Sequence, residues 1–177
     1  MSKIGASRIL AIDLRACRFG YAVFETPHHL LDGGIARFSS PAMAATRVRT
    51  LMKTCRPSVL VLDGGAARGI RNVRRTGATI AAMRKAASAV SVNATVISSS
   101  VLRAFLGDCG VRNKYDFAVV LARWFPRLSW RVPPKRKCFN AEPAVMPRFD
   151  AIGLGAVYLA QHNPNSAEFF RRSLDDE

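Results

Sequence analysis

Apolar residues follow two rhythms along this chain. Short unbroken runs end on an acid or a turn residue, as in Arg8-Ile-Leu-Ala-Ile-Asp13 and Ser58-Val-Leu-Val-Leu-Asp63. Runs of this length and β-branched content predict buried strands. Phe19-Gly-Tyr-Ala-Val-Phe-Glu25, rich in β-formers, predicts a strand that returns from the first. Pro27 and Asp32-Gly33-Gly34 then read as turn signals before a third short strand, Ile35 to Ser39. The short connections among these three make them antiparallel neighbours.

Three-four spacing takes over after Pro41, a residue suited to a first helical turn. Met43, Val48, Leu51, Met52 and Cys55 share one face of that helix, and Pro57 stops it. A second helix is predicted from about Asn72 to Val90, with Ile80, Met83, Ala87 and Val90 inward and Arg74, Arg75, Arg84 and Lys85 outward. Val92 to Ser98 predicts a further strand. Lys114 to Phe125 predicts a helix on Phe117, Val120, Leu121 and Trp124, and Pro147 to His162 a last one. Arg131-Val-Pro-Pro-Lys-Arg-Lys137 excludes a regular element and reads as a basic loop. The expected organisation is one α/β domain over residues 1–162, followed by a frayed acidic tail over 163–177.

Composition adds a partner. Of 177 residues, 27 are Lys or Arg and 12 are Asp or Glu, a formal charge of +15. A field of that sign favours a polyanion, because phosphate contacts release condensed counterions. A membrane surface competes for the same charge, but no apolar run approaches the ~20 residues of a membrane span. The opening Met-Ser-Lys-Ile-Gly lacks the apolar core of a signal peptide. Cys17, Cys55, Cys109 and Cys138 are scattered without a Cys-x-x-Cys pair, and His28, His29 and His162 make no ligand spacing with them. Reduced thiols in a cytoplasmic protein are expected.

The candidate chemistry lies in Asp13, Asp63 and Asp150. A strand-terminal Asp often starts the next turn by bonding to backbone, and an acid early in a helix complements its dipole. Three acids gathered in one place would instead repel one another unless a cation offset them. Hard divalent ions prefer oxygen ligands, which makes Mg²⁺ or Mn²⁺ the natural candidate. Arg68-Gly-Ile-Arg71-Asn-Val-Arg74-Arg75 follows the second acid, and Lys135-Arg136-Lys137 precedes the third. Together with Arg15 and Arg103, these are candidate phosphate contacts. Phe19, Trp124 and Trp130 are candidates for base stacking; Trp124 sits at core spacing, which favours Trp130 beside the basic loop.

Ile9-Leu-Ala-Ile-Asp-Leu-Arg-Ala-Cys-Arg-Phe-Gly-Tyr-Ala-Val23 resembles the opening of RuvC-type Holliday junction resolvases, in which a strand ends in Asp and a Gly-Tyr strand returns. Val59-Leu-Val-Leu-Asp63 is similar to that family's second catalytic strand, and Asp150-Ala-Ile-Gly-Leu-Gly-Ala-Val-Tyr-Leu-Ala160 to its closing helix. Lys114 matches a Lys that opens the penultimate helix, and the likeness runs over roughly residues 8–162. It implies an RNase H-like fold: a five-stranded mixed sheet, three strands antiparallel and then two parallel, flanked by helices. It also implies a homodimer acting on branched DNA, with two Mg²⁺ or Mn²⁺ ions per site in a two-metal phosphodiester hydrolysis. Asp13 would bridge the ions, Asp63 and Asp150 would hold one each, and Lys114 would stabilise phosphate charge or be a solvated helix-start lysine.

The sequence departs from the family pattern at several points. Leu14-Arg15 stand where Pro-Gly usually follows the first acid, and Asp63 is one methylene shorter than the usual Glu. Pro147 occupies the place of a fourth ligand, for which Glu142 in the preceding loop is a substitute. Ala66 replaces an aromatic residue. Three other readings stay open: a non-catalytic DNA-binding module of this fold, an RNA-processing relative such as the YqgF-like ribosomal RNA maturation proteins, and a sugar-kinase or actin-like ATPase. The last needs two such domains, and no Gly-x-x-x-x-Gly-Lys-Ser/Thr phosphate loop occurs.

Overall fold

The computed structural model describes residues 8–64, 70–135 and 141–172, with the side chains of 70–72, 99 and 171–172 left aside. The elements run β1 (Ile9–Leu14), β2 (Arg18–Thr26), β3 (His29–Arg37), α1 (Pro41–Cys55), β4 (Val59–Asp63), α2 (Ile70–Ser88), β5 (Asn93–Ile97), α3 (Ser99–Asp108), α4 (Lys114–Trp124), a 3₁₀ turn (Pro126–Arg131), α5 (Met146–His162) and α6 (Pro164–Arg172). The strands form one sheet in the order β3-β2-β1-β4-β5. β1 pairs antiparallel with β2 and parallel with β4, and β4 pairs parallel with β5.

Side-chain alternation divides the sheet into two faces. Leu10, Ile12, Leu14, Leu60 and Leu62 point to the face covered by α1 and α2, where they meet Val48, Met52 and Met83. Ile9, Ala11 and Val61 point to the other face and pack with Phe117, Leu121, Phe149, Ile152 and Ala156 from α4 and α5. Asp13 and Asp63 continue this second series, so alternation alone aims both carboxyls at the α5 side. Ile12 pairs with Leu62 in the β1–β4 register, which sets the two acids side by side at the C-terminal ends of parallel strands. Crevices outside such ends are the usual ligand sites of α/β sheets.

Glycines let α5 lie close across this face. A Cβ on Gly20, the β2 partner of Asp13, would fall 1.7 Å from the Pro147 carbonyl oxygen. One on Gly155 would fall 2.2 Å from the Phe24 ring. The β2–α5 contact that carries Asp150 toward Asp13 therefore depends on bare backbone at Gly20.

Several expected boundaries move. Asp32-Gly33-Gly34 lies within β3, which begins at His29 after a turn at Pro27-His28 and contains register shifts opposite Val23 to Thr26. In α1, Ala44 and Ala45 join Val48 and Met52 inward, whereas Met43 is exposed. Val90 is exposed beyond the end of α2. α3 was not expected; Ser98 caps it by accepting from the Val101 N–H. Part of the expected frayed tail is helix α6, whose Phe170 is fully buried against Trp124 and Phe125. Among the described residues no helix is long and apolar enough to cross a membrane.

Candidate active site

β1 brings Asp13, β4 brings Asp63 and α5 brings Asp150, and all three are buried, at 4%, 6% and 3% exposure. Asp150 is the fifth residue of α5, beyond its first turn, and it faces the sheet rather than the helix end. The reading of Asp150 as a dipole-complementing surface acid is therefore corrected. Glu142, in the loop before α5, joins the group.

Two basic side chains of the chain itself stand among these acids. The Arg15 Nε donates to Asp13 Oδ2 at 2.6 Å, its Nη2 donates to Asp150 Oδ2, and its Nη1 lies 3.5 Å from Glu142 Oε2. Lys114, the first residue of α4, donates through Nζ to Asp150 Oδ1 and lies 3.7 Å from Glu142 Oε1. The Asn113 side chain caps α4 by accepting from the Tyr115 and Asp116 N–H groups, which fixes the helix start from which Lys114 projects. Arg15 was expected as a phosphate contact; it is an internal partner of the acids instead. Lys114 was expected to contact phosphate or be solvated; its amine binds Asp150, with half the side chain exposed.

Burial, and then the nearby Asp150 charge, push the Asp13 carboxyl from 3.8 to about 8 despite the bonded Arg15. Burial also works against the Arg15 charge, but Asp13, Asp150 and Glu142 outweigh it and hold the guanidinium above its ordinary pKa. Four carboxyls thus face two basic groups. A set of carboxylate oxygens of this kind suits a hard cation. Among the described residues no three of them already converge on one point as a metal cage, and Arg15 lies between Asp13 and Asp150.

The surroundings are basic. A cavity of about 350 Å³ opens beside Lys114 and Asp150 and is bordered by Arg103 and by Arg112, which no sequence pattern singled out. On α2, Arg74 is exposed, and Arg75 donates to the Ser39 carbonyl at 2.9 Å, so it ties α2 to the start of α1. Lys135 is exposed. Arg68, Arg136 and Lys137 lie outside the described residues, as do Cys138 and Ala66, and the Arg71 side chain is not described.

A second basic surface carries Trp130. Its ring is 76% exposed, with the Arg131 guanidinium 4.2 Å from the ring centre. It borders a cleft of about 180 Å³ with Arg127, Arg148 and Asp32. Trp124 and Phe19 are buried, Phe19 stacking on Phe38, which removes both as base-stacking residues.

The sequence matches no family profile and no curated relative. Its fold does have counterparts. Thermus thermophilus RuvC in complex with a Holliday junction substrate superposes at a TM-score of 0.62 and 14% identity, covering 89% of this chain and 97% of that one. A further T. thermophilus RuvC structure gives 0.62 and 16%, covering 88% and 96%. The yeast mitochondrial Holliday junction resolvase Ydc2 gives 0.52 and 12%, covering 96% and 86%. The chain therefore has a fold like that of RuvC, a five-stranded mixed sheet flanked by helices.

Proposed function

We propose that this protein is a divalent-metal-dependent endonuclease for branched DNA, most simply a Holliday junction. The observation that carries the reading is that Asp13, buried at the end of β1, has two further buried acids from other elements, Asp63 and Asp150, as charged neighbours in a chain of charge +15. Buried acids without full compensation are destabilising, so their grouping is the kind of arrangement that serves chemistry. The fold is shared with a RuvC that was captured on a junction.

Asp13, Asp63 and Asp150 would hold Mg²⁺ or Mn²⁺, with Glu142 in place of the side chain that Pro147 cannot supply. Bound there, the metal supplies an activated water and charge stabilisation for the leaving oxygen, as a pair of ions does in two-metal hydrolysis. Asp13, which has both other aspartates as charged neighbours, would hold the ion as a carboxylate, the form that burial and those neighbours disfavour. Lys114 is placed to hold Asp150 in register and to present its exposed amine to a phosphate. Arg103, Arg112, Arg74 and Lys135 would grip phosphates beside the cut. A homodimer would set two such sites on the paired strands of a junction.

A second reading, DNA binding without cleavage, is favoured by one observation: Arg15 already bonds two of the three aspartates. Incubation of the protein in Mg²⁺ or Mn²⁺ with four-way junction, linear duplex and structured RNA separates the readings. Nicks in the junction alone support the proposal. Cuts in RNA alone place the protein among RNA-processing nucleases, and junction binding with no cut supports the second reading.

A further inference from the structure

Arg15 is the most enclosed basic side chain of the site, at 13% exposure. Three nitrogens of its guanidinium each meet a different carboxyl: Asp13 from β1, Asp150 from α5 and Glu142 from the loop that precedes α5. No surface phosphate contact would be built so. A planar fork that joins acids from three parts of the chain does what a bridging cation does, but with one positive charge spread over the whole group.

A single guanidinium charge is shared there among three carboxyls. Arg15 also sits on the first chain turn after β1, anchored by its own N–H to the Arg18 carbonyl at 2.9 Å. The backbone is held there, and only the side chain reaches in between the acids.

Resting on the metal-nuclease reading, we propose that Arg15 is a resident counter-cation that positions Asp13, Asp150 and Glu142 and competes with a divalent ion for their oxygens. Metal entry then requires the guanidinium to leave. Metal affinity is accordingly set by Arg15 as much as by the acids themselves.

The test is calorimetric titration of Mn²⁺, without DNA, into the full chain and into Arg15→Gln, Arg15→Lys and Arg18→Gln. Arg18 shares the turn and the charge but makes no ion pair with these acids, so Arg18→Gln measures the effect of net charge alone. Arg15→Gln is expected to bind Mn²⁺ at least tenfold more tightly than the unsubstituted chain, with Arg18→Gln unchanged. Arg15→Lys, a single ammonium that cannot span three carboxyls, falls between them and guards against a misfolded Gln variant. Melting curves give an independent readout: Arg15→Gln melts lower than the unsubstituted chain without metal and gains more from Mn²⁺. Equal affinities across the set, or an equal rise in Arg18→Gln, overturn the proposal. If no protein of the set binds Mn²⁺, the metal-nuclease reading falls, and this inference with it.

Discussion

Asp13 is the residue on which the site turns. Its carboxyl is buried beside Asp150 and Asp63, and burial is the largest force holding its proton. The unfolded chain releases that proton near 3.8 and the folded chain near 8. Its contribution to stability is therefore complete below about 3.8 and lost as pH rises through about 8. In a metal-chelated buffer, the melting temperature of the unsubstituted chain should fall over this range relative to Asp13→Asn, which cannot titrate there. Parallel profiles would contradict the environment assigned to Asp13. The three aspartates were legible in the sequence because each ends an apolar run or opens a helix of small residues. The part played by Arg15 was not: an arginine after a strand looks the same whether it reaches to solvent or turns back among acids. Burial of the guanidinium is a property of α5 lying overhead, which no local pattern records.

At the scale of elements, the decisive contact is α5 against β1 and β2. Gly20 has no side chain where a Cβ would lie 1.7 Å from backbone oxygen, an obstacle that no rotamer change removes. Gly20→Ala should lower stability by about 3 kcal/mol, the upper end of ordinary overpacking effects, and move Asp150 away from Asp13. Chemical denaturation and Mn²⁺ affinity would check the two effects. A variant with unchanged denaturation midpoint would show that α5 does not pack as described. β1, β2 and β4 were readable from apolar runs and β-forming residues, and α1, α2 and α4 from three-four spacing. α3 and α6 were not. α3 is short and buries only Leu106 among its described side chains, and α6 lies in a polar stretch whose fully buried anchor, Phe170, is a single aromatic residue. Asp32-Gly33-Gly34 looks like a turn, yet strand pairing with Tyr21, Ala22 and Val23 overrides the local preference.

Across the whole molecule, the charge of +15 and the placement of aromatic residues point to a broad nucleic-acid surface. Trp130 is exposed while Trp124 is buried, so quenching of tryptophan fluorescence by nucleic acid reports on Trp130. Stacking of a base on such a ring contributes about 1–3 kcal/mol, so Trp130→Ala should weaken binding to DNA with unpaired nucleotides by roughly tenfold. Linear duplex binding, which rests on phosphates and falls steeply with salt, should change little. Equal losses on both substrates would remove Trp130 as a stacking residue. The composition alone pointed to a polyanion, but the split into an acid-centred edge and a separate Trp130 cleft appears only once the chain is folded. The central claim, that the buried acids of this fold cut DNA with a divalent ion, is tested most directly by nicking of a four-way junction in Mn²⁺ by the unsubstituted protein and by Asp13→Asn. Nicks are expected that require Mn²⁺ and disappear in Asp13→Asn while junction binding persists; binding without nicks, or nicks that survive Asp13→Asn, would mean that these acids do not cut DNA.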